Sequence, residues 1–150
     1  MTRTRYRVAA GLVVGLAFAT IATPALSHHS FAMYNMTVTK VMTGKLTRFI
    51  PGSNHAQLIF EVLNPDGTAV MEKGKPLVWG METGSAAAMA RAGVTVESFP
   101  LGTIMTVTLH PLRDGRPMGA VGGLIIHCGT SMPAGGCTEK TGKVLGAPAN

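Results

Sequence analysis

Apolar and polar residues alternate along several short stretches of this chain, and this period of two constrains its fold more than any other feature. In residues 55–62 (HAQLIFEV), the apolar Leu58, Phe60 and Val62 share one face. Residues 103–110 (TIMTVTLH) show the same alternation. Because successive side chains of a strand point to opposite faces, both runs predict β-strands with one buried face.

Three further runs have the composition of strands, and one segment between them favours a helix. The further strands are predicted over residues 40–50, 76–83 and 118–127. Gly44 in the first of them indicates a bulge or a sharp curve. Residues 85–92 (SAAAMARA) predict a short helix, because they are rich in strong helix formers. Ser85 or Gly84 is a candidate for its N-cap, and Gly93 follows as a C-cap.

The resulting element order, β-β-β-α-β-β, predicts an all-β fold. It is the order of a five-stranded Greek-key barrel of the OB type, with one short helix between strands 3 and 4. Residues 28–133 are assigned to this OB-like domain. Residues 134–150 are rich in glycine, alanine, proline and lysine, which predicts a flexible C-terminal tail.

Residues 1–27 have the features of a secretory signal peptide. Three arginines precede an uncharged apolar run over residues 8–22, which is shorter than the roughly 20 residues of a membrane span but suits a signal core. Ala25 and Ser27 provide small residues where a signal peptidase reads, so cleavage after Ser27 is predicted. The mature protein is then expected in the periplasm or secreted, without a membrane span. An uncleaved anchor is the alternative.

Cleavage would also remove much of the positive charge. It leaves ten basic and seven acidic residues, so the formal net charge falls from +6 to +3. A charge this small on an exported chain does not indicate a nucleic-acid partner.

Cys128 and Cys137 enclose a short loop rich in glycine and proline. In an exported protein this arrangement predicts a disulfide. A metal site formed with His127 is the alternative, although the spacing is not that of a zinc knuckle.

Several short motifs follow one another along the chain in a set order. They are His28-His29-Ser30-Phe31, Thr43-Gly44-Lys45-Leu46, Asn54-His55, Trp79, Ala90-Arg91-Ala92-Gly93 and His110-Pro111-Leu112-Arg113-Asp114-Gly115. In these motifs the chain resembles DUF6152, a family of small exported bacterial proteins of uncharacterised function, over roughly residues 28–125. Members carry Asn-Pro-His followed by an aromatic residue, where this chain has Ser53-Asn54-His55-Ala56. The resemblance implies export and fold, and it supplies no established activity.

The paired histidines after the predicted cleavage site suggest metal binding. A free N-terminal His28 offers its α-amine and its imidazole to one ion, and a further imidazole completes a three-nitrogen, T-shaped set suited to copper, with zinc as the alternative. His29 is a candidate for that further ligand. Cleavage after Ala25 would instead place His28 third, in another copper(II) chelate. A solvated N-terminus that binds no metal is the competing interpretation.

Two other histidines lie on the polar faces of their predicted strands. Strand 1 of an OB barrel runs antiparallel to strand 4, so the residues that lead into strand 1 are expected near His110. We therefore predict a metal site of His28, His29 and His110. His55, at the start of strand 2, is expected toward the other end of the barrel and would join only if strand 1 is strongly curved.

Methionine is frequent, with ten in the chain, and Met33, Met36 and Met42 follow the histidines. Thioethers select copper(I), but methionine more often fills irregular gaps in an apolar core.

The sequence predicts no catalytic residues. The seven acidic residues are dispersed, without the spacing of an acid/base pair, so an enzyme is the least favoured class. The chain is predicted to be a periplasmic binding protein for copper or a related ion. The alternative is a non-catalytic OB-like module that binds an unidentified periplasmic protein or a small ligand, with its histidines incidental.

Overall fold

The structure, a computed structural model, describes residues 31–146, so the predicted signal peptide lies outside this range. The strands are β1 (Lys40–Ile50), β2 (Gln57–Val62), β3 (Met71–Glu72), β4 (Lys75–Pro76), β5 (Val78–Glu82), β6 (Ile104–Pro111), β7 (Met118–His127) and β8 (Lys143–Leu145). Helix α1 spans Ala86–Arg91, and one 3₁₀ turn spans Phe31–Met33. Within residues 31–146, no helix combines the length and apolar character needed to cross a membrane.

Five strands close into a barrel. β1 pairs antiparallel with both β2 and β6, β2 pairs antiparallel with β5, and β6 pairs antiparallel with β7. The parallel pair β5–β7 closes the circle, and α1 lies between the third and fourth barrel strands. The predicted OB-like Greek-key barrel with one short helix is therefore confirmed.

The predicted alternation places every second side chain of the barrel strands in one core. Leu58 and Phe60 of β2 pack there with Met81 of β5 and with Met105 and Leu109 of β6, and all five are fully buried. Burial of an apolar side chain of this size stabilises a fold by about 1.5–3 kcal/mol. The neighbouring positions on each strand are left to form the outer face of the barrel.

The bulge of strand β1 does not lie at Gly44, where the sequence analysis predicted it. Its irregularity lies between Leu46 and Arg48, where the register against β2 shifts by one residue. Gly44 pairs regularly with Val62, and its role is close packing. A Cβ at this position would overlap the Phe60 ring and lie 2.8 Å from the Glu61 carbonyl oxygen.

Helix α1 is bounded by the residues that the sequence suggested. The Ser85 hydroxyl accepts a hydrogen bond from the Ala88 amide at 3.2 Å, which satisfies one of the free donors of the first turn. Gly93 follows with a φ of +82°, a conformation that glycine adopts without steric cost. Met89 is the residue of this helix that reaches the barrel core.

The C-terminal segment is more ordered than its composition predicted. The Cys128–Cys137 disulfide is present, with Cα atoms 5.8 Å apart, which confirms that prediction. Beyond it, β8 pairs with residues 125–127 of β7, and Leu145 is buried in the core. The physical reason is that β5 pairs only with residues 118–120 of β7. The rest of this edge of β7 is therefore free to pair with β8. This pairing makes the chain beyond residue 134 part of the fold.

Candidate metal site on the outer face of the barrel

Of the four histidines predicted as metal ligands, the structure describes His110 and His55. His28 and His29 lie outside the described residues. The chain that follows them, residues 31–38, is called the N-terminal strap here because it lies across the end of β6.

Tyr34 attaches the N-terminal strap to the barrel. It forms an isolated antiparallel bridge with Leu112, and its side chain is only 2% exposed. The ring packs against Leu112 and Ala120, in a small apolar cluster separate from the main core. The strap is therefore a fixed part of the fold.

Backbone hydrogen bonds hold the strap beside the residues that follow His110. The Asn35 amide donates to the Pro111 carbonyl at 2.8 Å, and the Arg113 amide donates to the Met33 carbonyl at 2.9 Å. The residues that lead into β1 thus lie at the end of β6, as the antiparallel pairing predicted.

The His110 ring is half-buried and oriented by the strap. Its Nδ1 lies 2.9 Å from the Val38 carbonyl oxygen. Because a carbonyl only accepts hydrogen bonds, this contact assigns the proton to Nδ1 and leaves the lone pair on Nε2 in the neutral ring. A hydrogen bond from Nδ1 to a carbonyl is the arrangement that orients metal-binding histidines in proteins.

His55 is more exposed, and its Nδ1 is also partnered. Nδ1 lies 3.2 Å from the Thr83 carbonyl oxygen and 3.6 Å from Oε1 of Glu82. The same reasoning leaves its Nε2 as the nitrogen available to a ligand.

Glu82 links His55 to the strap. The carboxylate interacts with the Tyr34 hydroxyl as well as with His55. The pKa of Tyr34 is raised to about 12, chiefly by burial and in addition by the negative charge of Glu82 and by hydrogen bonding to it. Sequence reasoning missed both residues. Tyr34 precedes β1 and belongs to no periodic run, and Glu82 was noted only as one of seven dispersed acids.

Closure of the barrel connects the His110 end of β6 to β5, whose Glu82 contacts His55. His110 pairs with Ala120, Ala120 with Glu82, and Glu82 with Gln57. His110 and Glu82 are therefore two strand spacings apart, about 10 Å. The role of His55 as a further ligand stays a prediction.

The described histidines do not by themselves complete a metal site. Among residues 31–146, no group of three or more His, Cys, Asp or Glu side chains is placed to hold an ion. The alternative site at the cysteines is excluded, because both thiols are in the disulfide. His127 instead packs edge-to-face on Phe99, with ring centroids 4.8 Å apart.

A second surface feature is an open groove of about 1010 Å³ on the outer side of β1 and β6, called the β1–β6 groove below. Val41 and Thr43 line one side, and the loop that contains Cys137 lines the other. Its polar floor is internally satisfied, since Thr43 donates to Thr106 at 2.7 Å and Thr106 donates to the Cys137 carbonyl at 2.7 Å. Val41 is 67% exposed.

One comparison with known proteins gives a result. The model of a family of unknown function, DUF6152, matches residues 17–121. The match covers more than half of the chain and ends within β7, before the disulfide loop. No curated protein and no solved structure matches the chain.

Proposed function

This chain belongs to the DUF6152 family, whose function is unknown, and we propose that it is a small exported protein that binds copper. The N-terminal amine and imidazole of His28 chelate the ion after signal cleavage, and Nε2 of His110 supplies the third nitrogen. His29 is the alternative third ligand, and zinc is the alternative ion. The proposed location is the periplasm or the extracellular medium.

The position of the N-terminal strap carries this proposal. Tyr34 bridges to Leu112, two residues beyond His110, and the Tyr34 amide donates to the Phe31 carbonyl at 3.0 Å. His28 precedes Phe31 by three residues, so the chain can place its Cα no more than about 11 Å from that of Phe31. This short connection to the strap, which contacts His110 through Val38, supports the pairing of His28 with His110.

The state of the His110 ring also supports the proposal. A metal-binding imidazole must present an unprotonated nitrogen, and the Val38 carbonyl directs the His110 proton to the other nitrogen. The ring needs little reorganisation on binding, because the same strap that carries the N-terminus fixes its orientation.

The test compares copper(II) binding by the mature protein with its native N-terminus and by a version with one extra residue before His28. Titration calorimetry on untagged protein should show at least tenfold weaker binding for the extended version, because the six-membered chelate formed by the His28 amine and imidazole is lost. His110→Ala should weaken binding by a smaller factor. His127→Ala is the control and should leave it unchanged, since His127 packs on Phe99.

Equal copper(II) affinity of the native and extended proteins would refute the chelate. A separate variant, His55→Ala, tests whether the fourth predicted histidine also binds the ion. A loss of copper(II) affinity would assign His55, which Glu82 contacts, to the site. An unchanged copper(II) affinity would leave His55 outside it.

The β1–β6 groove supports a second candidate function, a module that binds an extended segment of another periplasmic protein. The groove is open and its rim includes the exposed Val41, while its polar floor needs no ligand to satisfy it. A photo-crosslinking residue at position 41 should capture a partner from periplasmic extract, and the same residue at position 71 should not. Equal capture from both positions would remove this candidate.

A further inference from the structure

The methionines of this chain fall into two groups with different environments. Met81, Met89 and Met105 are completely buried in the barrel core, which is the gap-filling role expected of this residue. Met33 and Met36, on the N-terminal strap, are 46% and 43% exposed. Core packing therefore does not account for this pair.

Both exposed methionines are carried by the strap whose backbone contacts His110. The Val38 amide donates to the Asn35 carbonyl at 3.1 Å, which closes a turn around Met36. Val38 in turn accepts the hydrogen bond from His110. Two residues of backbone span at most about 7 Å, so Met36 lies within that distance of Val38.

Met33 is placed at the same end of β6. Its carbonyl accepts the hydrogen bond from the Arg113 amide, three residues beyond His110. A methionine side chain has three rotatable bonds, so its sulfur can adjust to a nearby ion without movement of the backbone.

We infer that Met33, Met36 and His110 form a copper(I) site. Two thioether sulfurs and one imidazole nitrogen make a soft, uncharged ligand set, which selects copper(I) over harder ions. The positive charge of Arg113, whose Nε donates to the Ala32 carbonyl of the strap, opposes a divalent ion more than a monovalent one.

This inference deepens the proposed function, on which the choice of copper rests, but it uses different atoms. The copper(II) chelate requires the free amine of His28, whereas the copper(I) site requires the two sulfurs. His110 is common to both, so the strap would hold copper in either oxidation state.

The first test measures copper(I) affinity under anaerobic, reducing conditions by competition with bicinchoninate. The double variant Met33→Leu/Met36→Leu should bind at least tenfold more weakly than the mature wild-type protein. Leucine is similar in size and both positions are exposed, so the fold should be retained and circular dichroism should confirm it. Met71→Leu is the matched control, since Met71 is 58% exposed on the separate β3–β4 hairpin, and it should bind as the wild type does.

The second test locates the ligands directly with silver(I), a diamagnetic ion of similar softness. In protein labelled with ¹³C at the methionine methyl groups, silver(I) should shift the signals of Met33 and Met36 and leave that of Met71 in place. Unshifted signals for the strap methionines, or wild-type copper(I) affinity in the double variant, would overturn the inference.

The copper(II) chelate and the copper(I) site can be refuted independently of each other. Extension of the N-terminus should weaken copper(II) binding at least tenfold and change copper(I) affinity by less than twofold. If the extended protein retains copper(II), the chelate is wrong and the sulfur site is still supported by its own variants. If the double variant retains copper(I), the sulfur site is wrong and the chelate is unaffected.

Discussion

Tyr34 is the only tyrosine after the predicted cleavage site, so its ionisation in the mature protein can be measured without interference from another phenol. Its side chain is almost completely buried against the barrel. Burial, as the larger cause, and Glu82 together raise its pKa to about 12 from an ordinary value of 10.0. We predict that the folded protein shows no tyrosinate until well above pH 10.

The raised pKa of Tyr34 makes the free energy of unfolding depend on pH, and the direction follows from the linkage between protonation and folding. A pKa that is higher in the folded state means that the neutral phenol favours folding. This contribution is complete below pH 10 and is lost as the pH rises through about 12. Two units of pKa correspond to about 3 kcal/mol of unfolding free energy, which is a large share of the stability of a domain of this size.

The assay is absorbance at 295 nm during an alkaline titration, with circular dichroism recorded on the same samples. The midpoint should lie near pH 10 in denaturant and near pH 12 in the folded protein. Glu82→Gln should give an intermediate midpoint, because it removes the charge but leaves the larger effect, burial. Tyr34→Phe should abolish the 295 nm signal and flatten the dependence of stability on pH between 10 and 12. A midpoint near 10 with an unchanged dichroism spectrum would refute the reasoning.

Three further predictions concern the N-terminus, the disulfide and the packing of β1. Mass spectrometry of the exported protein should find a mature chain that begins at His28, and a product that retains the apolar run would contradict export by cleavage. Reduction of the Cys128–Cys137 disulfide should lower the unfolding free energy by about 2–3 kcal/mol in the chain-entropy treatment, measured by urea denaturation, and an unchanged midpoint would show that the loop is not constrained by it. Gly44→Ala should cost about 1–3 kcal/mol through overpacking, whereas Gly146→Ala, where a Cβ meets open space, should be neutral in the same assay.

The sequence alone predicted those parts of the molecule that depend on local rules. The alternation in Gln57–Val62 and Ile104–Pro111 revealed both the strands and their buried faces, because side-chain direction in a strand has a period of two wherever the strand lies. Ser85 and Gly93 marked the ends of α1, because capping involves only residues of the adjoining turns. The element order was then enough to predict the barrel.

The parts that sequence reasoning missed depend on contacts between distant segments. Lys143–Leu145 becomes a strand because half of one edge of β7 is left free by β5. Tyr34 becomes an anchor because Leu112, just after β6, and Ala120 of β7 pack against its ring. The residues that adjoin Tyr34 and Lys143–Leu145 in the sequence give no indication of these partners.

The same reason governs the candidate site. The sequence identified His110 and His55 as histidines on polar faces, since that property is local. Only the tertiary structure decided that Val38 orients the His110 ring, that Glu82 lies between His55 and Tyr34, and that Met33 and Met36 are exposed beside them. Each of these relations depends on the closure of the barrel and on the path of the N-terminal strap across it, which bring together residues far apart in the chain.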